Sequence, residues 1–143
     1  LFAGTGSVGL EALSRGADQT VFVEKNLRMA SQIINTLKML KYDDRAEVIA
    51  QDVKSGISRL GKAGAKFAII FADPPYETGQ AQKTVQYCLD GGLLADGGML
   101  VVQHSVREPI NLAAANHVLM LRKEKRYGDS TVSFFHHLTK ELE

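Results

Sequence analysis

At 143 residues, 45% hydrophobic and 23% charged, the chain has the composition of one soluble globular domain with room for a core. A net charge of +1 excludes a general polyanion-binding surface and leaves only local patches. The single cysteine, Cys88, excludes an internal disulfide, and no Cys/His spacing suggests zinc, so no metal site is expected.

A reducing, cytoplasmic setting is the corresponding expectation. No apolar run approaches the ~18 residues of a membrane span, and no signal peptide opens the chain. Leu1-Phe2-Ala3 reads as the tail of a strand whose beginning is absent, so the chain is expected to be a fragment lacking an N-terminal segment. Next, Gly4-Thr5-Gly6-Ser7-Val8-Gly9 fits G-x-G-x-x-G and opens a short helix, with Ser7 as its N-cap and Gly16 as its stop. Glycines there permit a tight turn and close approach of backbone to a ligand at the positive end of a helix.

Thr20-Val21-Phe22-Val23-Glu24 reads as a buried strand ending in a carboxylate. Glu24 stands at the offset from Gly4 at which nucleotide-binding folds place an acid on ribose hydroxyls; its plainer reading is a solvated strand end. Asn26 suits the N-cap of a helix to about Leu40, with Leu27, Ala30, Ile34 and Leu37 on its inner face. A third strand, Glu47 to Asp52, again ends in an acid. Asp52 can accept from an adenine amino group, and it can equally cap a helix at Ser55 to Leu60, which its surroundings favour.

Phe67-Ala68-Ile69-Ile70-Phe71 reads as a buried strand of a parallel sheet. The prolines of Asp73-Pro74-Pro75-Tyr76 end it, because neither can donate a ladder hydrogen bond, and Pro75 holds Pro74 extended. A carboxylate, a carbonyl and an aromatic ring thus stand in fixed relation at the sheet edge where open α/β folds bind ligands. Asp73 and the Pro74 carbonyl suit an –NH₂ group, and Tyr76 offers a flat face to a base.

A helix near Ala81 to Leu89 follows, then the turn Asp96-Gly97-Gly98 and a fifth strand, Met99 to Gln103. Val118 to Leu121 and Val132 to His136 form an antiparallel pair about Tyr127-Gly128-Asp129. His104, just past the fifth strand, can face the site, with a surface position as its plainer reading. His136 and His137 point to opposite strand faces, which argues against joint ligation of a metal. Arg122, Lys123, Lys125 and Arg126 form a basic cluster beside Tyr127, either a solvated face or a contact for phosphates. The alternation of strand and helix predicts one doubly wound, Rossmann-like α/β domain over residues 1–143.

On these motifs the chain resembles the class I S-adenosylmethionine-dependent methyltransferases. More narrowly, it resembles the bacterial small-subunit ribosomal RNA guanine-N2 methyltransferases (RsmD-like). The resemblance spans the chain: Leu1 to Gly9 is similar to the cofactor loop, Val23-Glu24 to the ribose acid and Asp52 to the adenine-side acid. Asp73-Pro74-Pro75-Tyr76 is similar to the catalytic motif, and Arg126 to Ser130 to a late turn, whereas Gln103 stands where the family has glutamate.

The resemblance implies a seven-stranded, mostly parallel sheet with an antiparallel C-terminal strand and a first strand truncated here. It implies S-adenosylmethionine, without a metal, held by Phe2, Ala3, Gly4, Thr5, Gly6, Gly9, Glu24, Lys25, Asp52, Val53 and Asp73. Asp73, Pro74, Pro75 and Tyr76 would be catalytic, acting on 16S ribosomal RNA or a small-subunit particle, in a monomer away from membranes. Adenine-N6 DNA and N5-glutamine methyltransferases suit the same motif. An NAD-dependent oxidoreductase would use the glycine loop and Glu24 but gives Asp73 to Tyr76 no role, and a catalytically silent RNA-binding module is a third class.

Overall fold

A computed structural model describes residues 1–115 and 118–138. The chain divides into two compact units, Leu1–Gly56 and the remainder from Ile57.

In the first unit, α1 (Ser7–Ser14) leads to β1 (Thr20–Val23), α2 (Leu27–Met39) and β2 (Ala46–Ile49). Strands β1 and β2 pair in parallel, with Val23 opposite Ile49. Leu13 of α1, Phe22 of β1, and Ile33 and Leu37 of α2 form the core. Each such burial stabilises by about 1.5–3 kcal/mol. Arg45 ties the end of α1 to this core, its guanidinium donating to the carbonyls of Ala17 at 3.1 Å and Leu13 at 3.3 Å. Asn26 caps α2 as expected, accepting from the Met29 N–H at 3.1 Å. The inner face of α2 is carried by Ala30, Ile33 and Leu37, while Leu27 is 71% and Ile34 38% exposed. The helix is thus rotated from the expected face, with Ile33 rather than Ile34 packed beside Phe22 of β1 and Leu13 of α1.

The second unit begins within α3 (Val53–Lys62), followed by β3 (Phe67–Ala72), α4 (Gln80–Asp90), β4 (Leu94–Ser105), β5 (Leu119–Tyr127) and β6 (Ser130–His137). Its sheet has the order β3-β4-β6-β5. β3 and β4 are parallel, and β6 runs antiparallel to both β4 and β5. The antiparallel C-terminal strand therefore lies inside this sheet, with β5 at its edge.

β4 begins earlier than Met99, and its register with β3 slips between the pairs Phe67–Leu94 and Ile69–Met99 to absorb Asp96-Gly97-Gly98. A Cβ on Gly98 would lie 2.8 Å from the Ala95 carbonyl oxygen and 3.1 Å from that of Phe67, so only glycine fits this irregularity.

The described residues bear out the α/β class with parallel pairing and an antiparallel C-terminal strand; they hold six strands, in a two- and a four-stranded sheet. Two expectations are corrected. Leu1 to Ala3 form no strand, since Phe2 takes a left-handed φ of 57° and Ala3 gives a single N–H bond to the Val23 carbonyl. β3 is not uniformly buried: it is an edge strand, with Ile70 and Ala72 packed on one face and Ile69 67% exposed on the other.

Candidate active site

The glycine loop and the two acids of the first unit meet at the carboxyl ends of β1 and β2. Phe2, Gly4 and Gly6 have φ of 57°, 57° and 79°, folding the loop back so that the Gly6 N–H reaches the Ala3 carbonyl. Gly6, not Ser7, is the N-cap residue of α1, and no side chain caps the helix. The positive end of α1 thus stays available to a polar ligand group. A Cβ on Gly4 would meet open space, whereas one on Gly9 would lie 2.3 Å from the Phe22 ring. Gly4 is therefore the glycine of close approach; Gly9 is the glycine that seats α1 on β1.

Glu24 is buried, at 9% exposure. One carboxylate oxygen accepts from the Gly4 N–H and the other from the Asn26 N–H, both at 2.8 Å. Its backbone N–H continues the β1–β2 ladder to the Ile49 carbonyl. Each oxygen retains lone-pair capacity, and the carboxylate is oriented before any ligand arrives.

Asp52, three residues beyond Ile49 at the end of β2, caps α3: its carboxylate accepts from the Ser55 N–H at 3.0 Å and the Ser55 hydroxyl at 2.8 Å. Those hydrogen bonds hold its carboxyl below the usual aspartate range. Lys25 and Thr5 are exposed, Ala3 is partly buried, and Val53 is buried.

In the second unit, Asp73 follows the last residue of β3. Among the described residues it makes no hydrogen bond or ion pair. The residue is exposed as a whole, yet its carboxyl loses enough water to the surrounding chain that its pKa is raised. Pro74, next in the chain, is fully buried. The result is an unpartnered acceptor on a rigid mount.

Tyr76 is 39% exposed and fixed at its far end. Its hydroxyl lies 2.6 Å from the Ser130 hydroxyl, and the Gln103 amide donates to it at 3.2 Å. An amide at position 103 thus has a defined partner in this chain.

The segment after Tyr76 is held by a residue for which sequence spacing gives no signal. Glu108 accepts from the N–H groups of Glu77 at 2.7 Å and Gly79 at 2.8 Å. Glu77 is held at a φ of 58°, uncommon for a side-chain-bearing residue, and Gly79 begins α4 without a side-chain cap of its own. The carboxylate therefore stabilises both a strained turn and a helix start. Thr78 closes the turn by donating to the Pro75 carbonyl at 2.9 Å.

His104 is not on the surface. At 3% exposure, its Nε2 lies 2.7 Å from the Ser133 hydroxyl and its Nδ1 2.9 Å from the Glu108 carbonyl. Strand alternation places it on the covered face of β4, where it anchors the Glu108 loop.

A family described as "Conserved hypothetical protein 95" matches residues 1–136, which contain both clusters. The chain belongs to this RsmD-like S-adenosylmethionine-dependent methyltransferase family. Among curated relatives, it is 34% identical over 127 residues to Escherichia coli K12 "Ribosomal RNA small subunit methyltransferase D", covering 89% of this chain and 61% of that protein. It is 30% identical over 135 residues to Bacillus subtilis YlbH, provisionally named an rRNA methyltransferase, covering 94% of this chain and 72% of YlbH. A crystal structure from Haemophilus influenzae, HI0767, provisionally described as a methylase, matches with a TM-score of 0.86 at 28% identity. That match covers 96% of this chain and 83% of the other. Family members are thus longer than this chain, and the α/β architecture is shared. Among the described residues, no helix is long and apolar enough to cross a membrane.

Proposed function

We propose that this chain transfers a methyl group from S-adenosylmethionine to the exocyclic N2 of a guanine in small-subunit ribosomal RNA. The observation that carries the reading is Asp73: an acceptor with no partner among the described residues, mounted on two prolines beside a ring fixed by Ser130 and Gln103. Support comes also from the family and from the names of its relatives.

The first unit fits a nucleoside cofactor. The uncapped start of α1 suits a polar group, Gly4 leaves space for close approach, and Glu24 is preset to accept from vicinal hydroxyls. Phe2, Ala3, Thr5, Gly6, Lys25, Asp52 and Val53 complete the proposed surroundings, with Gly9 contributing by seating α1 on β1. When bound, S-adenosylmethionine supplies an electrophilic sulfonium methyl, and that chemistry asks for no metal.

The guanine amino group is a poor nucleophile because its lone pair is delocalised into the ring. Asp73 and the Pro74 carbonyl accept hydrogen bonds from its two N–H groups and turn the lone pair outward. As the nitrogen takes the methyl group the thioether leaves, and one N–H proton is released to Asp73 or to solvent. Tyr76 stacks on the base, which must be unpaired or flipped to be reached. These groups are fixed in advance, so little reorganisation accompanies reaction.

The test is a methylation assay on free ribosomal RNA and on small-subunit particles, with the product nucleoside identified. The expected product is N2-methylguanosine. N6-methyladenine in DNA or N5-methylglutamine in protein would replace the substrate assignment. Calorimetric binding of NAD in place of S-adenosylhomocysteine would replace the reaction class.

A further inference from the structure

The basic cluster on β5 is divided by strand alternation, and the division has a direction. From Lys123 to Tyr127 the β5–β6 register is regular: Lys123 pairs with Phe134, Lys125 with Val132 and Tyr127 with Ser130. On the other side of β6, Val132 pairs with Gln103 of β4. Residues directly opposite one another share a sheet face. Lys123, Lys125 and Tyr127 therefore lie on the face that bears Ser130 and Gln103, the two side chains that hold the Tyr76 hydroxyl.

Glu124, the acid within the cluster, pairs with Ser133 and lies on the opposite face. Arg126, also on that opposite face, spends its Nε on the Gly128 carbonyl at 3.1 Å. Lys123 and Lys125 are exposed and carry no ion pair among the described residues, and Tyr127 is 62% exposed. Their Cα atoms are roughly 6–7 Å apart at the strand rise, and Tyr127 is the same distance further on.

We infer that Lys123, Lys125 and Tyr127 form a track for single-stranded RNA running toward Tyr76: the lysines take successive phosphates and Tyr127 stacks on a base. The inference rests on the proposed RNA substrate and says which surface holds that RNA next to the reacting base. Charge selects the partner, because two unopposed ammonium groups with an exposed ring are the pairing that single strands use. Phosphate contacts make the contribution dependent on salt; stacking does not.

The experiment measures binding of a guanine-containing single-stranded RNA oligonucleotide to the whole chain by fluorescence anisotropy over a salt series. Lys123→Gln/Lys125→Gln should weaken binding and flatten the slope of log affinity against log salt by about 1.4, two contacts at ~0.7 each. Lys123→Arg/Lys125→Arg should keep the parent slope. Tyr127→Ala should weaken binding by roughly tenfold at every salt concentration with the slope unchanged.

Lys62→Gln/Lys83→Gln, an equal loss of charge at exposed helical positions, should behave as the parent. Far-UV circular dichroism and the thermal midpoint confirm that each variant is folded. An unchanged slope in the first pair, an equal loss in the helical pair, or a parent chain that does not bind the RNA would overturn the inference. If the parent methylates guanine while the first pair binds RNA as it does, the methylation reading stands and this surface falls. A parent that neither binds S-adenosylhomocysteine nor methylates overturns the methylation reading itself.

Discussion

Glu24 and Asp73 are both strand-end carboxylates, but their surroundings differ. Glu24 is buried and already accepts two backbone N–H groups, whereas Asp73 is exposed and accepts none among the described residues. A carboxylate already oriented by backbone donors suits a fixed ligand such as a ribose. Glu24→Ala is expected to weaken S-adenosylhomocysteine binding roughly ten- to a hundredfold, equivalent to about 1.5–3 kcal/mol of charge-assisted bonding. Calorimetry checks this, and parent-like affinity would remove Glu24 from the proposed cofactor site. For Asp73→Ala the expected loss is in methyl transfer, about 10²–10³-fold, with cofactor affinity little changed; Asp73→Asn, keeping one acceptor oxygen, should retain more. Burial raises the Asp73 pKa, so the charged acceptor is lost on acidification at a pH above the ordinary aspartate value. The acid limb of the pH–rate profile should therefore lie above that value and vanish in Asp73→Asn. An acid limb at the ordinary position, or one that survives the asparagine, would show that another group titrates.

At the scale of elements, the turn between β3 and α4 depends on a carboxylate from the loop after β4. Glu108 supplies two acceptors to Glu77 and Gly79, and the Glu108 carbonyl is itself held by buried His104. Glu108→Gln keeps the size but leaves one acceptor oxygen for two N–H donors. The expected result is a fall in methyl-transfer kcat of roughly ten- to a hundredfold, since small misplacement of positioning groups is costly, with S-adenosylhomocysteine affinity unchanged. Equal losses in both quantities would mean that the variant is merely less folded. Gln103 is coupled to this turn through Tyr76, so Gln103→Glu exchanges a donor for an acceptor at the tyrosine hydroxyl. The glycine loop, the strand-end acids and the Asp73 to Tyr76 turn were legible in sequence because each is a local pattern. Glu108 and Ser130 were not, and neither was the burial of His104 against Ser133, because these pairings lie 29 to 54 residues apart in the chain, which no local period encodes. Ser7 does not cap α1 although its residue type suits a cap, because a glycine in the left-handed region can begin a helix without a side-chain acceptor.

Across the molecule, element types followed from hydrophobic period, but exposure did not. Ile69 belongs to an apolar run that reads as buried from end to end, yet β3 stands at the edge of its four-stranded sheet. Run length reports strand propensity; which face of a strand is covered depends on what packs over that face. Burial can be tested directly at Cys88 on α4, which is 1% exposed and whose thiol is pushed up to about 12 by desolvation. The thiolate is the reactive form, so near neutral pH the buried thiol stays protonated and unreactive. Folded protein should therefore resist an aromatic disulfide reagent that labels the denatured chain rapidly, and the labelling rate should report opening of the second unit. Gly79 is the N-cap residue of α4 and its N–H is held by Glu108, so Glu108→Gln should speed labelling through easier opening of the α4 start. If opening were confined to that helix, the rate would rise while the thermal midpoint stayed close to the parent. A parallel drop in midpoint would instead mean that Cys88 is exposed only when the whole second unit unfolds, and rapid labelling of the folded parent would contradict the packing of α4 against β4.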